Sequence, residues 1–327
     1  MVYSESDDTL FGALRKTSQK VARQLFFAHT QQVVIGEALA KEGIGDLFDF
    51  FERSHELRMS SHVLIARNTE AESVLRILTS LEKDQAEGIV KREKISSEIW
   101  GNSLDNKIID VVKALLSKGE TAISGIRVKG NITKGSEMSN KSNSKLPTYI
   151  QIDGIALFKD KKLVKWLDGN EARGTLWLQN KMKGTVVNLP CKESKEEAAV
   201  ELIRSETKVN ITMMQGKPMF HIHIKEDGTV NEVHCPMDLS KRDVIVHLQN
   251  QWAKETEVEV KEAIQVAQSQ KSDIFGFGEE LKRQYPKEWK QIKDHWQDVF
   301  ADCQVETTIE AYIRRTGMRS KPYFIEQ

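Results

Sequence analysis

Residues 150–178, IQIDGIALFKDKKLVKWLDGNEARGTLWL, constrain the fold more tightly than any other stretch of the chain. Ile150, Ile152, Ile155 and Leu157 form an alternating apolar run around Asp153-Gly154. A basic turn, Lys159-Asp160-Lys161-Lys162, leads into Leu163-Val164-Lys165-Trp166-Leu167, which stops at Asp168-Gly169. Period-2 apolar runs bounded by Asp, Lys and Gly suit a half-buried β-hairpin. Asp168 is then placed to cap a short helix over 170–178, with Glu171 in its first turn. Strand, turn, strand and capped helix make a small module that carries no reaction chemistry.

Before this module the chain alternates helix and strand signals. A helix is expected over 9–21, capped by Asp8 or Thr9, then a buried strand at 32–35, a helical turn at 36–41 ended by Gly43, and a helix at 47–53 with Phe48, Phe50 and Phe51 facing the core. A strand follows at 61–66. Thr69 and Glu72 have the spacing of a capping box ahead of Val74, Leu75, Ile77, Leu78 and Leu81. The polar stretch 82–98 has no clear period. Leu104, Ile108, Val111, Val112 and Leu115 share one face of a helix over 104–116, closed by Lys118-Gly119. A third strand is expected at 123–128. Residues 134–146, KGSEMSNKSNSKL, have no apolar period and read as a linker or mobile loop.

After Gly184 the texture changes. Four strands are expected at 185–189, 198–204, 208–214 and 219–225, with turns at Gln215-Gly216-Lys217-Pro218 and Asp227-Gly228. Ser240 and Asp243 read as a capping box opening a long helix, 242–270, with Ile245, Leu248, Trp252, Val260, Ala263, Ile264 and Ala267 on one face. A helix that long, on the order of 40 Å at about 1.5 Å per residue, needs a sheet or partner beside it. A last helix is expected at 278–300, kinked at Pro286, and a returning strand at 305–314. The fold class is therefore α+β (mixed α/β) and multidomain, each domain a β-sheet packed with α-helices. The expected division is an N-terminal α/β domain (1–133), the linker (134–146), a small middle strand-helix domain (147–183) and a C-terminal α+β domain (184–327).

Composition excludes several function classes. Lys plus Arg equals Asp plus Glu, 48 each, so no net field draws a polyanion and no nucleic-acid partner is expected. No run of about 18 apolar residues occurs that could span a bilayer. The start, MVYSESDD, has neither the basic nor the apolar region of a signal peptide. The three cysteines, Cys191, Cys235 and Cys303, are far apart and are expected to be plain buried or half-buried thiols.

His221 and His223 would share one strand face, with His234-Cys235 close by, a spacing that zinc can use. The alternative is an exposed polar ladder, and no metal site is assigned. Gly276-x-Gly278 lacks the Lys-Ser/Thr of a phosphate loop and is expected to be a turn with glycine at positive φ. No G-x-S-x-G occurs, and His29 and His62 are expected to be satisfied polar groups at strand edges. Trp166, Trp177, Trp252, Trp289 and Trp296 are expected to be core or interface anchors. No catalytic or cofactor-binding residue and no cofactor is assigned.

The phrase from Gly154 to Asp168, with Glu171-Ala172-Arg173-Gly174 after it, resembles the C-subunit lipoproteins of GerA-type spore germinant receptors. Phe275-Gly-Phe-Gly278 leading to Tyr285-Pro286-Lys-Glu-Trp289 and His295-Trp296 is similar to that family's C-terminal helix. Ile313-Arg-Arg-Thr-Gly317 with Lys321-Pro322-Tyr323-Phe324, and Arg23–His29 before Val33–Glu37, agree with its two ends. The resemblance implies a non-catalytic lipoprotein subunit acting with membrane-embedded A and B subunits in nutrient-triggered germination. It also implies a lipid anchor on the outer face of the spore's inner membrane; the anchor cysteine is absent from these residues. Two other readings stay open: a hydrolase or transferase with a dispersed active site, and a small-molecule solute-binding module.

Overall fold

The computed structural model of the chain describes residues 2–21, 25–54, 56–79, 84–117, 120–142, 146–191 and 197–317. β1 (Gln32–Gly36), β2 (His62–Ala66) and β3 (Ala122–Gly130) run parallel, and β4 (Thr148–Lys159) and β5 (Lys162–Leu167) extend the sheet antiparallel in the order β1-β2-β3-β4-β5. Val63, Leu64, Ile65 and Ala66 are all buried, because β2 is covered on both faces. On one face Val63 and Ile65 join Ile35, Phe48, Phe51, Ile108, Val111 and Phe158. On the other, Leu64 and Ala66 join Val74, Ile77, Ile89, Ile126 and Ile150.

The helices around this sheet are short. α1 (Leu10–Thr17) is capped by Thr9, whose hydroxyl accepts from the Gly12 N–H. α2 (Glu37–Glu42) ends at Gly43, at φ +144°. α3 (Gly45–Arg53) buries Phe48 and Phe51. α4 (Ala71–Arg76) starts from Glu70 without a side-chain cap, and the Thr69 hydroxyl has no partner, so the expected capping box does not form. α5 (Gln85–Ile95) passes into a π-helical turn, Ser96–Trp100, which resolves the aperiodic stretch. α6 (Ile108–Leu116) starts four residues later than the periodicity predicts. Leu104 and Asn106 instead lie extended: Ser124 Oγ bonds both backbone groups of Leu104, and the Asn106 carbonyl accepts from Val63 N. The expected stop at Lys118-Gly119 and residues 80–83, before α5, lie outside the described residues.

Residues 134–146, expected to be linker, hold the end of α7 (Ile132–Gly135) and all of α8 (Ser139–Ser142), while 143–145 lie outside the described residues. They do not separate two domains. Asn140 is fully buried, donates to the carbonyls of Leu78 and Thr148, and accepts from Thr148 N. Three hydrogen bonds from one side chain fasten this insert onto the first sheet, a role that Ser-, Asn- and Lys-rich composition conceals. The chain divides into Met1–Lys94 with Ser103–Leu167, and Ile95–Asn102 with Asp168–Gln327. The expected middle domain is thus cut at Leu167. Its hairpin completes the first sheet, where the β3–β4 ladder holds it, and its helix belongs to the second unit.

In that second unit α9 (Gly169–Leu178) packs on α10 (Arg242–Ser269), a helix of 28 residues. Asp168 occupies the cap position of α9 without a side-chain capping hydrogen bond. Beneath lies a sheet of β6 (Val186–Pro190), β7 (Glu197–Met214), β8 (Lys217–Val233) and β9 (Gln304–Arg315), antiparallel except for the parallel pair β8–β9. β7 and β8 are single long strands where several short ones are expected. Their two-residue turn, Gln215-Gly216, has both φ values positive, as twisted hairpins require. Asp227-Gly228 is no turn. Gly228 sits within β8, where a Cβ would fall 2.5 Å from the Trp252 ring and 2.6 Å from the Glu201 carbonyl. The expected cap of α10 also fails, since Ser240 hydrogen-bonds Asp238 instead. The C-terminal helix is three: α11 (Phe277–Gln284), α12 (Pro286–Ile292), which Pro286 opens at its first position, and α13 (Trp296–Asp302).

One correction concerns the cysteines. Cys191, just past β6, and Cys235, just past β8, form a disulfide across 44 residues, and Cys303 alone is a free, buried thiol. Strand pairing brings the two together, since Pro190 pairs with Glu197 and Ala198 with Val233, a proximity that sequence spacing does not show. Closing a loop of that length restricts the unfolded chain by roughly 3–4 kcal/mol. Cys191→Ser is expected to lower stability by about that amount in denaturant titrations, and the wild type with reductant is expected to fall to the same level. Equal midpoints with and without reductant would contradict the bond.

Candidate functional site

The residues that carry the family phrase do structural work in both units. In the first, Gly154 sits in β4 at φ +73°. Opposite it, a Cβ on Gly125 would lie 2.4 Å from the Asp153 carbonyl and 2.6 Å from the Trp166 ring. The Trp166 ring therefore comes close to β3 at Gly125. The Arg67 guanidinium stacks on it at 4.7 Å and, with Arg127, pairs with Asp153. Trp166 Nε1 donates to Glu37, which also accepts from the Asn68 N–H and pairs with Lys41. Burial pushes the Glu37 carboxyl up, but these partners outweigh it and hold it below its ordinary value.

In the second unit Gly174 brings α9 against α10. A Cβ there would stand 2.0 Å from the Glu259 carbonyl oxygen, so only glycine permits this approach. Arg173 Nε donates to Glu259 Oε1 at 2.6 Å, and Trp177 Nε1 donates to the other oxygen at 2.8 Å. Arg173 also bonds the Thr185 hydroxyl and, at 3.5 Å, the Trp100 carbonyl. One turn earlier on α10, Thr256 donates to Glu226 of β8. Burial raises Glu259, opposed chiefly by Arg173, and raises Glu226 well above the usual carboxylate range. Among the described residues this is the densest buried charge cluster of the second unit. Its donors and acceptors face one another.

The Phe275–Gly278 turn is explained in the same way. Gly276 has φ +79°, as expected. The N–H groups of Gly276, Phe277 and Gly278, which a phosphate loop would offer an anion, all donate to Asp273, at 2.7–3.0 Å. Trp296 Nε1 donates to the same carboxylate at 2.9 Å. Asp273 is buried, and burial raises it despite four donors. Gly278 leaves room for the Trp296 and Trp289 rings. Four of the five tryptophans singled out from the sequence (Trp177, Trp252, Trp289 and Trp296) are buried core; Trp166 is partly buried.

The histidine pair is a ladder between strands. His221 pairs with Glu306 and His223 with Glu310, both from β9, while His234 pairs with Glu232. Cys235 is tied up in the disulfide and offers no thiolate. His62, expected to be a satisfied polar group at a strand edge, instead meets Glu93 and Asp105, which the sequence does not single out; the donor atoms of the three all lie within 4.8 Å of one another. No spacing links residues 62, 93 and 105; the hint is Glu93 alone, a carboxylate on the buried face of α5 next to Ile89. Two surface hollows, of about 120 Å³ beside Phe48 and Lys161 and about 140 Å³ beside Pro218 and Cys303, are smaller than the roughly 300–1,000 Å³ of small-molecule sites. No helix among the described residues is long and apolar enough to cross a membrane.

These features define a multidomain α+β body in which the Arg173–Glu259 and Asp273 clusters are bound by the chain's own groups. Residues 1–128 match the spore germination protein N-terminal domain, and residues 153–317 match the spore germination B3/GerAC-like C-terminal family. Over 325 residues the chain is 32% identical to spore germination protein KC of Bacillus subtilis, covering 98% of this chain and 80% of that protein. It is 25% identical to spore germination protein B3 of the same organism, covering 90% and 75%. In fold it is similar to the crystal structure of the GerBC protein, with a TM-score of 0.68 and 22% identity over 92% of this chain and 84% of that one. The chain belongs to the spore germination B3/GerAC-like family, as its signature residues imply.

Two predictions follow from the clusters. Gly174→Ala is expected to cost about 1–3 kcal/mol or more, because the new methyl meets backbone; denaturant titration measures it, and an unchanged midpoint would contradict the close approach. Folding keeps Glu226 protonated to higher pH than the unfolded chain does. That contribution is full below the ordinary Glu range and is lost as pH rises through the raised value. Glu226→Gln cannot ionise, so it is expected to match the wild type in acid and exceed it at neutral and alkaline pH. A variant no more stable than the wild type at high pH would refute this.

Proposed function

We propose that this protein is a non-catalytic, lipid-anchored subunit of a spore germinant receptor, held on the outer face of the spore's inner membrane. There it acts with the receptor's membrane-embedded A and B subunits in nutrient-triggered germination. The observation that carries this reading is kinship over 98% of this chain, with both family halves present in order. The Cys191–Cys235 disulfide supports a compartment outside the reducing cytosol. A structural use for the signature residues supports a non-catalytic role: Arg173, Gly174 and Trp296 are engaged in packing, Trp296 with Asp273.

The test is genetic. Deleting the gene in its sporulating host should abolish germination in response to the nutrient of one receptor and leave nutrient-independent germination intact. Restoring it behind a lipoprotein signal should recover the response; restoring it with the acylated cysteine replaced should not. Spores that germinate normally in every background would overturn the proposal.

A further inference from the structure

We propose that His62, Glu93 and Asp105 form a binding site for one divalent transition-metal ion of the zinc or manganese class. The three come from separate elements of the first unit: the start of β2, the last part of α5 and the segment before α6. His62 Nδ1 lies 2.9 Å from Asp105 Oδ1 and 3.4 Å from Glu93 Oε2. Ligand atoms held about 2.0–2.2 Å from zinc stand roughly 3.0–3.5 Å apart, so the histidine already sits at coordination spacing from both carboxylates.

Glu93 points to an ion. It is fully buried, and neither of its carboxylate oxygens accepts a hydrogen bond of ordinary geometry. Its neighbours here, the His62 ring and the Asn106 N–H, help its charge, while Asp105 opposes it. The His62 ring reaches Glu93 only at 3.4 Å, whereas a dication can bond the ring nitrogen and an oxygen from each carboxylate.

The site is also held in place before any ion arrives. Leu104 and Asn106, on either side of Asp105, are fixed through Ser124: its hydroxyl bonds both backbone groups of Leu104, and its N–H donates to Asn106 Oδ1. Asn106 Nδ2 donates to the Ala122 carbonyl, and the Ile108 N–H to the Ser61 carbonyl. His62 is anchored by its own N–H to the Gln31 carbonyl and by a bridge to Lys107. Such support fixes a first coordination shell. One nitrogen and two carboxylate donors favour zinc or manganese over calcium, which takes six to eight oxygens.

The test uses untagged full-length protein stripped with chelator and titrated with Zn²⁺, Mn²⁺, Ca²⁺ and Mg²⁺, read by calorimetry and melting temperature. The expected result is about one Zn²⁺ or Mn²⁺ per chain with a rise in melting temperature. Asp105→Asn and Glu93→Gln should each weaken binding by more than the about 10–100-fold that loss of an outer-shell partner costs. His221→Ala/His223→Ala should bind as the wild type does. Asp105 is partly exposed, so its variant decides the matter should Glu93→Gln not fold. No binding, binding of Ca²⁺ or Mg²⁺ alone, or binding lost only in the His221/His223 variant would overturn the proposal.

Discussion

The second unit depends on how closely α9 approaches α10. Gly174 gives the helices that distance, and the distance buries Glu259. A buried carboxylate is tolerable only when its oxygens are paired, which Arg173 and Trp177 do from the same face of α9. Everything next to the pair is positioned by it. Thr185 and the Trp100 carbonyl meet the free end of Arg173, and Thr207 of β7 donates its hydroxyl to the Trp177 carbonyl. Glu226, in the sheet beneath α10, becomes a second buried acid, bonded by Thr256 and raised by burial and, to a lesser degree, by the nearby Glu259 charge.

The same economy appears at the other motifs. Asp273 fills the anion-binding turn formed by Gly276–Gly278, and Asp153 absorbs Arg67 and Arg127 beside Trp166. Signature residues in this spore-germination family member therefore act as internal fastenings.

Much of the fold was legible because buried apolar residues keep the period of their element. β2 with its four apolar residues, α10 with its long face from Leu248 to Ala267, and the 150–167 hairpin all follow this rule. What sequence hid was set by partners distant along the chain. Asp227-Gly228 reads as a turn until Trp252 covers it; 134–146 reads as a linker until Asn140 is seen to be buried; Cys191 and Cys235 look unrelated until the strands pair. The Ser240 cap failed for the opposite reason, since a local pattern cannot tell that the hydroxyl will choose Asp238, and the Thr69 hydroxyl makes no cap bond at all. His62, Glu93 and Asp105 were invisible because their closeness belongs to tertiary structure alone.

The central claim is that Arg173 and Glu259 hold the fold together rather than contact a substrate. A double-mutant cycle on stability tests it most directly, with Arg173→Met, Glu259→Gln and the pair measured in denaturant. The account predicts that each single change is destabilising and that the double change costs less than their sum, by roughly 0.5–3 kcal/mol of coupling. Singles that leave stability untouched while abolishing germination would contradict it, since these residues would then be serving a partner or ligand.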